Sequence, residues 1–345
     1  MKATPSTDVM RAEYRDDHVA TIYQTPAWRR LMALTSGFGD ATRDYRFADG
    51  CRGVLPLCEL PRRFRLFRNL FSMPAGYGGL VGPDLYNHPH HATEIAAGLK
   101  NVVRRGGTVH LVGNPFLALQ GGTDPLQEAI QSKALGLSFH RFSTFTHLLP
   151  LDEDYQRLWT GAFDQKARNQ YRKGVRSGVV VQAGPGVAQL PVFYDIYRAS
   201  ARRWGLSSPP DSMAFYEHLL SLDSNGLVWV ARDKEGAAVS AAVCLYHGTH
   251  AYLWASALHK EYAFLRPNDV LYAEMIQDAC NRGYKVFDFG SSDGLPNVQA
   301  FKEQFGSIRV DVPHAILGHP LAIALRRWRP AVLRPQPSRD VSNRP

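Results

Sequence analysis

The stretch from Gly226 to Leu258, GLVWVARDKEGAAVSAAVCLYHGTHAYLWASAL, constrains the fold more than any other part of the chain. Three apolar runs are parted by two tight turns, Lys234-Glu235-Gly236 and His247-Gly248. Links this short join only antiparallel neighbours, so the stretch is a three-strand meander. Its faces need apolar cover, and amphipathic segments flank it. Before it lie VAQLPVFYDIYRASARRWG and DSMAFYEHLLSL, read as helices. After it come a helix (NDVLYAEMIQDACNRG), a strand (YKVFDFG), a helix (PNVQAFKEQFG) and a strand (SIRVDVPHAIL). Upstream, Asp164 caps a helix over QKARNQYRKGVRS that Gly178 stops.

This order fills only the second half of 345 residues, a length that suits two domains. The first half is also mixed. Thr25-Pro26 is a cap and first-turn proline before AWRRLMAL, and Asp49-Gly50 is a hairpin turn. HATEIAAGLKNVVRRGG reads as a helix and TVHLVGNP as a strand. The expected boundaries are residues 1–143 for a first domain and 144–317 for a second. Residues 318–333 are expected to return to the first domain, and 334–345 to form a flexible tail.

The formal net charge of +9 favours polyanionic partners such as RNA, sugar phosphates or a membrane surface. No run of about 20 apolar residues is present, so no transmembrane helix is expected. Residues 1–17 lack the apolar core of a signal peptide. Cys51, Cys58, Cys244 and Cys280 form no CxxC pair and read as reduced thiols, which points to a cytoplasmic protein.

Three motifs carry a resemblance. FDQKARNQYRKGVRSGVVV resembles the arginine/asparagine/lysine-rich helix that opens the second domain of the Fem family of non-ribosomal peptidyl transferases. DFGSSDGLPNVQAFKEQFG is similar to that family's C-terminal signature, a strand end, a glycine turn and then F-K-x-x-F-G. SMPAGYGGLVGP looks like its first-domain glycine loop. The resemblance spans roughly residues 20 to 320. It implies a mixed α+β fold of two tandem N-acetyltransferase (GNAT)-like domains, each a mostly antiparallel sheet flanked by helices. It implies transfer of an aminoacyl group from aminoacyl-tRNA to an amine of a cell-wall precursor or natural product, without a further cofactor, by a monomer. It also implies that Lys302 lies near the reacting ester, with the backbone of Phe301 lining the site.

Amide formation from an ester needs a neutral amine, a stabilised oxyanion and a proton for the leaving oxygen. Lys302 suits the second or third need, although Phe301 and Phe305 at i and i+4 also fit a core stripe with Lys302 at the surface. Asp288 suits orientation of the amine; it also suits capping of the loop amides of Ser291 or Ser292. For the donor, Arg168, Arg172 and Arg176 recur on one face beside Lys166 and Lys173, a pattern suited to phosphates or to plain solvation. Arg62, Arg63, Arg65 and Arg68 interleave with Phe64 and Phe67, a second cationic candidate.

An ordinary GNAT enzyme holds the CoA pyrophosphate on an R/Q-x-x-G-x-G/A loop. The equivalent FLRPNDVLYAEM keeps Arg266 but has neither glycine, and Asp269 adds a negative charge. Acyl-CoA therefore stands as the alternative donor. For the acceptor, Tyr77 and Gly78 in the glycine loop are candidates, together with Phe215-Tyr216 and with Tyr252 and Trp254 of the meander. Each also reads as packing. Phe215-Tyr216 matches a Tyr-Tyr pair of several Fem enzymes, but the arginine that precedes that pair is absent. His88, His90 and His91 in NHPHH fit no closed zinc spacing and read as an exposed loop, so no metal is expected. A non-catalytic RNA- or saccharide-binding module is the reading from another class.

Overall fold

The computed structural model describes residues 20–60, 68–82, 89–119, 126, 139–222, 226–292 and 294–318. The chain divides into two compact units. The first ends at Phe145 and resumes at Val310; the second is Thr146–Arg309.

Unit 1 contains helix α1 (Pro26–Ser36), the short strand β1 (Gly39–Asp40) and the hairpin of β2 (Arg43–Arg46) and β3 (Arg52–Leu55). It continues with β4 (Cys58–Glu59), β5 (Asn69–Phe71), α2 (Pro89–Arg104), β6 (Thr108–Val112) and α3 (Phe116–Leu119). Strand β7 (Phe139–Pro150) starts in unit 1 and ends in unit 2. Unit 2 then holds α4 (Tyr155–Gly161), α5 (Gln165–Arg176), β8 (Val180–Pro185), α6 (Gly186–Arg203) and α7 (Met213–Ser221). The meander follows as β9 (Leu227–Arg232), β10 (Ala238–His247) and β11 (His250–Leu258), then α8 (Pro267–Asn281), β12 (Val286–Asp288) and α9 (Pro296–Glu303). Strand β13 (Ile308–Leu317) returns to unit 1.

In unit 1 the sheet order is β1-β4-β5-β6-β13. β5 and β6 are parallel, with α2 in the crossover; the other pairs are antiparallel. β13 pairs with β6 from His314↔Val112 to Leu317↔Val109. The return to the first unit therefore comes at Val310, eight residues before the expected position 318, because this strand pairs with β6 of that unit. Of the expected segment 318–333, all but Gly318 lies outside the described residues, as do 334–345 and Arg62, Arg63, Arg65 and His88. Thr25 caps α1 by accepting from Trp28 N at 3.2 Å, and Trp28, Leu31 and Met32 bury one stripe of the helix.

In unit 2 the order is β7-β12-β11-β10-β9-β8, with only β11 and β12 parallel. Both faces of the meander are covered, which is why its strands read as near-continuous apolar runs. Trp229, Ala242, Cys244, Ala251 and Leu253 share a core with Leu271, Met275 and Ile276 of α8. The alternate residues Val228, Val230, Val243, Tyr252 and Trp254 are also buried, and Trp254 stacks on Phe215 of α7.

Helix α5 is capped by Asp164, which accepts from Ala167 N at 2.6 Å, and is closed by Gly178 at φ 82°. The residues it buries are small, Ala167 and Gly174. A Cβ on Gly174 would lie 2.4 Å from Cγ2 of Val270 and 3.1 Å from the Arg266 carbonyl oxygen. α5 thus rests directly on the first turn of α8. Gly174→Ala should lose about 1–3 kcal/mol of stability through overpacking, despite alanine's better helix propensity. Thermal unfolding beside Gly161→Ala, where the added Cβ meets nothing within 4 Å, checks this; a stabilised Gly174→Ala would disprove the close packing.

Candidate active site

The parallel register of β11 and β12 runs from His250↔Val286 to Tyr252↔Asp288 and stops. β11 continues to Leu258, with a bulge where Val243 pairs with Ala255 and Cys244 with Leu253, skipping Trp254. The other chain turns away: Phe289 N donates to the His147 carbonyl of β7 at 2.9 Å. The two strands part there and leave one edge of β11 facing the turn after Asp288.

That turn is held from both ends. Asp288 is buried, and its Oδ1 accepts from Gly290 N and from Thr146 Oγ1, each at 2.8 Å. Gly290 sits at φ 70° and Gly294 at φ 76°, where a side chain would be strained. Lys302 of α9 is 5% exposed, and its Nζ donates to the carbonyls of Gly290 at 2.9 Å and Ser291 at 2.7 Å. The surface-lysine alternative does not hold, because this ammonium is enclosed and bonded to backbone. Phe305 is fully buried against Phe163, with ring centroids 5.2 Å apart, and Phe301 packs on Tyr272 at 5.0 Å. The two phenylalanines seat α9, and the seated helix delivers Lys302 to the turn. Asp288 takes a loop-capping position, accepting from the Gly290 amide.

His147, which the sequence did not single out, is fully buried one residue from Thr146. Burial first, and the positive charge of Lys302 second, push its pKa down to about 4. The imidazole is therefore neutral at pH 7. Its position in the apolar run TFTHLLPL gave no sign of a charged neighbour from α9.

The first turn of α8 is where a GNAT enzyme presents amides to the CoA pyrophosphate. Here Arg266 is its N-cap at φ 60°, Pro267 occupies N1 and contributes no N–H, and Asn268 Oδ1 accepts from Ser240 Oγ. Asp269 is buried and accepts from Gln304 Nε2 at 3.1 Å; burial raises its pKa. Gly174 closes on the carbonyls of Leu265 and Arg266. Side chains of the protein itself occupy this helix end.

The cationic stripe on α5 is split. Arg168 turns inward, and its Nη1 donates to the carbonyls of Trp159, Thr160 and Phe163 at the end of α4. It satisfies carbonyls that the helix leaves open, so it is no part of a free cationic face. Lys166, Arg172, Lys173 and Arg176 are exposed, and the Arg172 guanidinium lies 6.0 Å from the Trp159 ring.

The acceptor candidates are placed in packing. Tyr216 and Tyr252 have no exposed surface, and Phe215 and Trp254 have little. Tyr216 is the centre of an aromatic cluster with Phe193, Tyr194 and Tyr197. In unit 1, half-buried Tyr77 meets Tyr23 and Phe116 edge to face. A Cβ on Gly78 would come within 2.6 Å of the Ser72 carbonyl oxygen, and Gln24 Nε2 donates to the Gly78 carbonyl. The glycines of this loop are needed for close packing. His90 and His91 are not in a loop. They open α2, and His91 is buried against Phe47 with ring centroids 3.8 Å apart.

Residues 161–303 match the family model described as an acetyltransferase (GNAT) domain. No curated protein sequence matches the chain. Among solved structures, FemX superposes with a TM-score of 0.73 at 14% identity, covering 94% of this chain and 100% of that one. The C-terminal domain of a putative lysylphosphatidylglycerol synthetase from Agrobacterium fabrum gives 0.53 at 15% identity, covering 97% and 99%. A conserved protein of unknown function from Bacteroides thetaiotaomicron gives 0.54 at 9% identity, covering 90% and 96%. The fold is the Fem-like double-GNAT fold.

Two outcomes follow from this geometry. Lys302→Ala should lower the melting temperature, since it leaves the Gly290 and Ser291 carbonyls without their donor at about 1–3 kcal/mol each. An unchanged melting temperature would contradict the buried placement. For His147 and His250, burial holds the folded pKa at about 4 and about 3, below the 6.5 of a free histidine. The unfolded chain then binds more protons below pH 6.5, so stability is complete above that pH and falls as pH drops toward 4. Urea midpoints at pH 7.5 and 5 should differ in that sense. His147→Leu should reduce the difference, which separates this histidine from the opposite contribution of Asp269.

Proposed function

We propose that the chain is an aminoacyltransferase that forms an amide between the aminoacyl group of an aminoacyl-tRNA and an amine. The observation that carries the reading is the first turn of α8. A CoA pyrophosphate needs open amides and close backbone approach, which two glycines provide elsewhere. Pro267 removes one donor, and Asp269 places a carboxyl group in the same turn, bonded to Gln304. Both features support a donor held by other means. Exposed Arg172, Lys173 and Arg176, with Trp159 beside Arg172, offer charges for a phosphate backbone and an aromatic face for an unpaired base. The likeness to FemX and to a domain of an enzyme named for a lysyl-bearing lipid agrees with aminoacyl transfer.

In this reading the ester lies along the edge of β11 that β12 leaves, beside the turn that Lys302 and Asp288 fix. Lys302 supplies a positive charge next to the developing oxyanion and holds the Gly290 and Ser291 backbone in place as it does so. The acceptor is an amine of a cell-wall precursor or natural product, and the protein acts in the cytoplasm.

The test is product formation from a charged tRNA and an amine acceptor, with RNase as control. Activity should vanish with RNase. Arg172→Glu, Lys173→Glu and Arg176→Glu together should weaken tRNA binding. They should also flatten the plot of log affinity against log salt by about 0.7–0.9 for each phosphate that is no longer neutralised. Full activity with acyl-CoA in the presence of RNase would replace tRNA by CoA as donor.

A further inference from the structure

Away from the candidate site of unit 2, unit 1 gathers three metal-ligating side chains, with His90 beside them. One potential ligand atom each from Asp49, Cys51 and His91 lies within 4.8 Å of the others. His91 Nε2 is 2.8 Å from Asp49 Oδ2, and His90 Nε2 is 3.8 Å from the same oxygen. The His90 and His91 rings are 4.1 Å apart. A thiol, two imidazoles and a carboxylate form a donor set suited to Zn2+ and its neighbours rather than to Mg2+ or Ca2+. We propose that Asp49, Cys51, His90 and His91 bind one divalent transition cation, which ties the β2–β3 hairpin to the first turn of α2.

The surroundings already orient most of the ligands. Asp49 and Cys51 flank Gly50, which takes φ 88° and closes the hairpin turn. Cys51 N donates to Asp49 Oδ1 at 3.0 Å, which fixes the carboxylate and leaves Oδ2 toward the imidazoles. His91 is 1% exposed and stacked on Phe47 at an interplanar angle of 18°, so its ring cannot swing away. His90 is largely exposed and Cys51 half-buried, so an ion reaches the group from solvent. Ligand atoms around tetrahedral Zn2+ are about 3.3–3.8 Å apart, given bonds of about 2.0–2.3 Å. His91 Nε2 and Asp49 Oδ2, now 2.8 Å apart, must open by about 0.5 Å to reach that spacing, and the Cys51 thiol starts within 4.8 Å of both. Binding replaces the His91–Asp49 hydrogen bond by two metal bonds, shifts the His91 proton from Nε2 to Nδ1 and releases the thiol proton of Cys51 to solvent.

Co2+ reports a thiolate ligand through a charge-transfer absorption in the near ultraviolet. The full-length protein, with any affinity tag removed, should show this band. It should saturate at one equivalent of Co2+ and disappear when Zn2+ is added. Cys51→Ser should abolish the band and weaken Zn2+ binding at least tenfold. His90→Ala, an exposed change, should weaken Zn2+ binding several-fold and leave the metal-free melting temperature unchanged. Absence of the band in the wild-type protein, its persistence in Cys51→Ser, or Zn2+ affinity that neither substitution alters would overturn the proposal.

Discussion

An ammonium taken out of water must find acceptors, and Lys302 finds them in the carbonyls of Gly290 and Ser291. Much of unit 2 converges on that requirement. The turn must pass under α9, so β12 ends early and its chain follows β7 rather than β11. The helix must be seated, so Phe305 fills the core against Phe163 and Phe289. Asp288 must hold the other end of the turn, and it takes the Gly290 amide and the Thr146 hydroxyl to do so. The same elements that satisfy one buried charge leave an edge of β11 without a strand partner among the described residues. An open strand edge near a fixed cation is the result.

The packing of α5 on α8 shapes the helix end on which the donor proposal rests. Gly174 brings the two helices together over the carbonyls of Leu265 and Arg266, while Gln304 and Asp269 meet at the same helix end. What a CoA-dependent enzyme leaves open for phosphate is taken up here by contacts that stabilise the unit. On the solvent side of α5, Arg172, Lys173 and Arg176 remain exposed.

The elements written in local chemistry were readable from the sequence. The meander, the Asp164 cap, the Gly178 stop and the Asp49-Gly50 hairpin all depend on neighbours within a few residues, and all are present. Strand β8 was not readable, since most of its residues are exposed and it carries no alternating pattern. The fate of Arg168 was hidden too. Its spacing matches a solvated stripe, and only the position of the α4 carbonyls turns it inward. Lys302 was legible as a candidate from F-K-x-x-F-G, but not as a buried group, because its partners are backbone atoms without a sequence signature. Strand β13 follows the second unit in the chain, yet its register joins it to β6 of the first; no local pattern records such a partner.

A crystal structure with a stable 3′-aminoacylamide analogue of a tRNA acceptor end would test the donor assignment most directly. The aminoacyl carbonyl should lie along the β11 edge within hydrogen-bonding reach of the turn that Lys302 holds, with the terminal phosphates over Arg172, Lys173 and Arg176. An acyl-CoA bound in competition, with its pyrophosphate on the first turn of α8 and Asp269 displaced, would refute this reading.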